Sequence, residues 1–168
     1  AYQIALHSPH LRTEPIRGNV ETRMGKVDAG LFDATLLAEA GLTRLDMKDV
    51  TRYPISEEII VPAPGQAAIA VQTRDEDGEL QTLLQQVHDT KTEREVTIER
   101  SLLKRLGGGC ALPLGCVCHI EGETAELRVF YANASGTEHY LATHHAPLSD
   151  IDTLLSQLIE HLQHITTA

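Results

Sequence analysis

Ile151, Leu154, Leu155, Leu158, Ile159, Leu162 and Ile165 recur at helical spacing near the end of the sequence. An apolar stripe of that width has to lie on an apolar surface. The preceding residues can build one. Cys116–Ile120, Ala125–Ala132 and Glu138–His145 each read as a strand, with Gly122 and the Ser135-Gly136 pair between them, which predicts an antiparallel meander. A second helix is predicted from Thr92 to about Leu106, with Ile98, Leu102 and Leu106 on its apolar side. Thr92 with Glu95, and Ser149 with Asp152, read as capping boxes at the two helix starts. The expectation is a small α+β module, three antiparallel strands with helices on one face, able to fold alone.

The front of the chain reads differently. Helical starts at residues 1–8, at Val20–Val27 and around Gly41 alternate with short apolar segments at Leu11–Ile16 and Asp33–Leu37. Such strand–helix alternation predicts an α/β unit. Ala67–Val71, after the Pro62–Gly65 punctuation, reads as a buried strand, and Glu76–His88 as a helix with Leu80, Leu83, Leu84 and Val87 on one face. Because the pattern starts inside an element, the sheet of this α/β portion is expected to be incomplete. The first residue is Ala rather than Met, so a piece of a longer protein or a processed product is expected.

Composition narrows the partners. The 168 residues carry a net charge of −10, which excludes a protein held to nucleic acid by phosphate contacts. No apolar run approaches the roughly 20 residues needed to span a bilayer, and no leader pattern is present, so a cytoplasmic protein without a membrane partner is expected. With no Trp, two Phe and four Tyr, stacking platforms are scarce. Three cysteines cannot all pair with one another.

The most specific local feature is the loop Gly107-Gly108-Gly109-Cys110-Ala111-Leu112-Pro113-Leu114-Gly115. Three consecutive glycines permit left-handed backbone and close approach. The loop is either a helix terminus followed by a buried thiol, or a thiol presented for covalent attachment. Cys110, Cys116, Cys118 and His119 could also be read as metal ligands, but C-x5-C-x-C is not the usual knuckle spacing and no metal is expected. Arg17, Arg23 and Arg44 stand beside turn-forming or helix-starting residues in an acidic chain. They are either carboxylate-binding forks or surface residues paired with Glu21, Asp28 or Asp46. His144, His145, His161 and His164 are expected to be solvated.

Three separated segments resemble the porphobilinogen deaminase (hydroxymethylbilane synthase) family. RGNVETRMGKVDAGLFDATLLAEAGLTRL at 17–45 is similar to the family's RGN-x-x-TR-x-x-K-x-D segment and its AGL-x-R-L end. PAPGQAAIAVQTRD at 62–75 is similar to PA-x-GQGA with its following Arg, and LGGGCALPLG at 106–115 to EGGC-x-x-P-x-G. Order and separations agree over essentially the whole chain. The departures are Gly107 for the family's Glu, Ala67 for a glycine, and His7-Ser8 where basic residues are frequent.

The resemblance implies a three-domain transferase of tetrapyrrole (haem) biosynthesis that joins four porphobilinogen molecules head to tail, releasing ammonia at each step. The chain would grow on a dipyrromethane cofactor held by a thioether to Cys110, whose soft thiolate suits that bond. Arg17, Arg23 and Arg44 match arginines that hold acetate and propionate groups. Gly108 and Gly109 match glycines of the cofactor loop, and Gln66 matches a glutamine at the substrate cleft or domain hinge. On this correspondence residues 1–62 are the back half of a periplasmic-binding-like domain 2, 63–86 the crossover returning to domain 1, and 87–168 the cofactor-attachment domain 3. The family's catalytic aspartate falls outside the chain. The missing N-terminal domain would come from the same or a companion chain, the complete enzyme would be a monomer, and this chain alone would be inactive. The alternative is a non-catalytic module of that fold that binds carboxylate ligands or a partner.

Overall fold

The structure is a computed structural model and describes residues 1–66, 68–109 and 112–166. The chain divides into two compact units, Ala1–Ile59 and Ile60–Ala168.

The first unit holds three short helices, α1 (Tyr2–His7), α2 (Val20–Asp28) and α3 (Glu39–Arg44), of which α2 has a side-chain cap. Asn19 caps α2, its side chain accepting from the Thr22 amide at 2.8 Å, and Gly18 reaches that cap at φ +123°. Gly41 of α3 sits against Val20, where a Cβ would lie 3.6 Å from Val20 Cγ2. Leu42 is the buried apolar residue of this unit among the described residues.

The strands expected at Leu11–Ile16 and Asp33–Leu37 are not formed, and neither are residues 68–71 of the third expected strand. Ala67 lies outside the described residues. A strand exists only through a hydrogen-bonded neighbour, and no ladder partner reaches these segments among the described residues. Their apolar side chains stay open as a result: Ile69 is 84% and Val71 63% exposed. The following helix α4 (Gly78–Leu84), capped by Asp77, likewise leaves Leu80 and Leu83 exposed. The periplasmic-binding-like sheet is therefore absent from the described residues.

The second unit contains the expected small α+β fold. Strands β1 (Leu114–Glu121), β2 (Thr124–Ala132) and β3 (His139–Pro147) form an antiparallel sheet in the order β1-β2-β3. Gly122, at φ +59°, opens the two-residue connection between β1 and β2. Strand alternation and the register put Cys116 and Cys118 opposite Val129 and Leu127. That face carries helix α5 (Thr90–Arg105) through Ile98 and Leu102, and helix α6 (Ile151–Thr166) through Leu155, Leu158 and Leu162. The terminal apolar stripe thus finds the surface it requires.

Both expected capping boxes are corrected. Asp89, not Thr92, caps α5, its carboxylate accepting from the Thr92 amide at 2.7 Å. A short 3-10 turn over Leu148–Asp150 precedes α6. There the Ser149 hydroxyl donates to Asp150, while Asp152 pairs with Arg105 and ties the end of α5 to the start of α6.

Residues 60–66 complete the unit. Val61 is buried against Gly115, where a Cβ would lie 2.5 Å from the Val61 carbonyl oxygen. Gly115→Ala forces these two backbones apart. The expected cost is about 1–3 kcal/mol, read as a lower urea midpoint with unchanged slope.

Candidate functional site

Arg23 and Lys26 of α2 reach back to the backbone that precedes the helix. The Arg23 Nε donates to the Gly18 carbonyl at 2.8 Å, and the Lys26 ammonium donates to the Arg17 carbonyl at 2.9 Å. Arg44 ends α3, one turn beyond the Gly41 contact with α2. Among the described residues, none of the three arginines pairs with a carboxylate. Asp46 binds Lys48 instead, and Glu39 binds Arg52. Guanidinium groups left this way in an acidic protein can donate to external carboxylates.

The second unit holds the remaining expected residues. Helix α5 ends in a full Schellman arrangement: Gly107 takes φ +70°, its amide donates to Lys104, and the Gly108 amide donates to Leu103. Gly107, standing where the resembling family has Glu, thus takes the position that most favours glycine. A Cβ on Gly108 would lie 2.6 Å from Leu112 Cδ2, whereas Gly109 has open space. Cys110 lies outside the described residues.

Cys116 and Cys118 face the helices and are fully buried, whereas alternation sends His119 to the opposite face. Burial, helped by the Glu99 carboxylate, raises the Cys116 thiol far above its ordinary range and Cys118 to about 12. His144 departs from the solvated expectation. It is half-buried, stacks on Tyr140 and shares a 2.6 Å hydrogen bond with its hydroxyl. Burial lowers its pKa.

Gln66 is exposed and closes a turn. Its amide donates to Ala63 at 3.0 Å, and Gly65 at φ +74° follows Pro64, which is type II geometry. The N–H of the central peptide, that of Gly65, points out of the turn to Glu99 Oε2 at 2.6 Å. The other Glu99 oxygen accepts from the Cys118 amide at 2.9 Å, and Glu95 accepts from Ile120 at 2.8 Å. In the sequence Glu95 stands out only as a capping-box partner of Thr92, and Glu99 is not singled out. The available signal was two acids, Glu95 and Glu99, in register with the buried Ile98–Leu102 stripe.

Comparison with family models gives two matches. The model described as porphobilinogen deaminase, dipyromethane cofactor binding domain, matches residues 1–82. That of the porphobilinogen deaminase C-terminal domain matches residues 93–148. The chain belongs to the porphobilinogen deaminase family. The family is a transferase family of tetrapyrrole biosynthesis, and the first match is to its dipyrromethane-binding domain. Among the described residues no helix is long and apolar enough to cross a membrane. The donor set fits a porphobilinogen deaminase cofactor: a dipyrromethane bears carboxylates, and among the described residues Arg17, Arg23 and Arg44 pair with none.

Two measurements check this geometry. In native protein at pH 8, iodoacetamide is expected to leave Cys116 and Cys118 unmodified and to label both in urea. Native labelling of either would contradict their burial. Burial also raises the Glu99 pKa against the opposing Gly65 and Cys118 hydrogen bonds. Folded Glu99 therefore holds its proton to higher pH than unfolded Glu99, and its contribution to stability falls as pH rises through that interval. The wild-type minus Glu99→Gln difference in unfolding free energy should decline from pH 4 to pH 7.

Proposed function

We propose that this chain is the domain 2 back half, crossover and domain 3 of a hydroxymethylbilane synthase, acting in the cytoplasm on porphobilinogen. The observation that carries the reading is the match to a dipyrromethane-binding domain over residues that include three arginines with no carboxylate partner among the described residues. When bound, dipyrromethane supplies the primer from which the pyrrole chain is extended. Cys110 is the attachment residue, held by a thioether; Gly108 allows the close packing against Leu112 before it, and Gly109 has open space for the loop to shift. Arg17, Arg23 and Arg44 grip acetate and propionate groups and orient each incoming ring. Gln66 lies at the cleft or hinge.

The acid/base carboxylate has to come from the family's first domain, in the same or a companion chain. The exposed Ile69, Val71, Leu80, Leu83 and Val87 support such a partner, since the crossover offers apolar surface that the described residues leave open. The 168-residue chain by itself is then inactive, carries no dipyrromethane and keeps Cys110 as a free thiol. The complete enzyme is monomeric.

The test is product formation from porphobilinogen, with intact mass read in parallel, for the chain alone and mixed with a separately expressed first half. Turnover is expected only in the mixture. Turnover or a two-pyrrole mass increment in the lone chain would refute the division of labour. In the active mixture, Arg17→Ala, Arg23→Ala and Arg44→Ala should each cost about 1.5–3 kcal/mol, or about 10- to 150-fold, in cofactor loading or elongation. Full activity in all three would return them to the surface. Carboxylate binding by the mixture without turnover would favour the non-catalytic module.

A further inference from the structure

The turn that carries Gln66 is fastened to the second unit at three points. Val61 is buried on Gly115, the Pro62 carbonyl accepts from the Cys116 amide at 2.8 Å, and Glu99 accepts from the Gly65 amide. Glu99 differs from the other two fastenings. It is 6% exposed, and each of its oxygens takes one backbone N–H from a different segment. The Cys118 N–H belongs to the outward edge of β1, and the Gly65 N–H is the one that a type II turn leaves free. A single carboxylate thus fixes the orientation of the central turn peptide relative to β1. The residue next after that peptide is Gln66.

We propose that Glu99 is a positioning residue, whose buried carboxylate locks the Ala63–Gln66 turn to strand β1 and thereby sets where Gln66 is presented. The catalytic relevance rests on the reading of Gln66 given under Proposed function; the lock itself does not. A neutral amide cannot replace the carboxylate, because one end of Gln would present N–H to an N–H donor. Asp is one methylene short of spanning both donors. Glu95 supplies an internal control, since it sits one turn earlier on α5 and accepts from β1 at Ile120 without touching the turn.

The test uses the whole 168-residue chain and amide-resolved NMR. In wild type, the Gly65 and Cys118 amide shifts should titrate together with the Glu99 carboxyl, at one midpoint above the ordinary glutamate value. The other titratable groups bearing on Glu99 are Glu95 on α5 and Cys116, Cys118 and His119 on β1, while residues 60–66 contain none.

In Glu99→Gln, exchange at Gly65 and Cys118 should accelerate about tenfold or more and the Gln66 resonances should shift. Val117 and His119, which bond to β2, should keep their protection. Glu95→Gln should accelerate Ile120 and leave Gly65 unchanged. Unaltered Gly65 exchange in Glu99→Gln, or a wild-type Gly65 shift that does not follow Glu99, overturns the lock. If Glu99→Gln does not fold, the wild-type titration decides alone. Neither readout uses turnover, so failure of the enzyme reading would not be mistaken for failure of the lock. Where the two halves do turn over, Glu99→Gln should lower kcat about tenfold or more with unchanged cofactor mass on Cys110. Wild-type kcat there would remove the positioning role.

Discussion

The free edge of β1 is the constraint around which the second unit is arranged. β1 pairs with β2 on one side only, so the amides of Cys116, Cys118 and Ile120 point away from the sheet. Unpaired edge amides are costly when buried and hazardous when exposed. Here each has a different acceptor: the Pro62 carbonyl, Glu99 and Glu95. Two glutamates on one helix face stand in for a fourth strand. Burying the Glu99 charge opposes this, and the two hydrogen bonds to it offset part of that cost. The same contacts bring residues 61–66 onto the unit and shield the edge beneath α5.

Much of this was legible in advance, for reasons that differ by element. The meander and α6 carry their own patterns, an alternation of two and a stripe of 3.6, and these patterns have a partner within the chain. Leu155, Leu158 and Leu162 meet Leu127 and Val129 as the spacing requires. Leu11–Ile16 and Asp33–Leu37 carry equally plausible strand patterns, but a strand also requires a neighbour, which periodicity does not supply. Helix α2 formed because its start is local: Asn19 caps it regardless of what surrounds it. The caps of α5 and α6 were misread because several oxygen-bearing side chains precede each helix, and geometry selected Asp89 over Thr92.

The functional residues were legible mainly through their motifs. Arg17, Arg23 and Arg44 are ordinary surface arginines by composition, and among the described residues none of them pairs with a carboxylate; the family motif around them is what singles them out. Asp46 turns to Lys48, and Arg23 spends its Nε on the Gly18 carbonyl within its own turn. Glu99 was invisible for the opposite reason. A glutamate inside an amphipathic helix reads as solvated, and only the docking of residues 60–66 reveals it as an acceptor for two backbones.

The separation in sequence between Gly65 and Glu99, 34 residues, also bears on how the molecule assembles. The β1–β2 hairpin closes over two residues and can form early, as can the capped helix α5. Bringing Gly65 to Glu99 closes a long loop, whose entropy cost must be met before its contacts form. The segment that bears Gln66 docks on β1 and α5, so it joins after those two elements have formed. By the same ordering, that segment can detach while the sheet beneath it stays folded, which makes the junction between the two matched domains a separable step in the life of the folded chain.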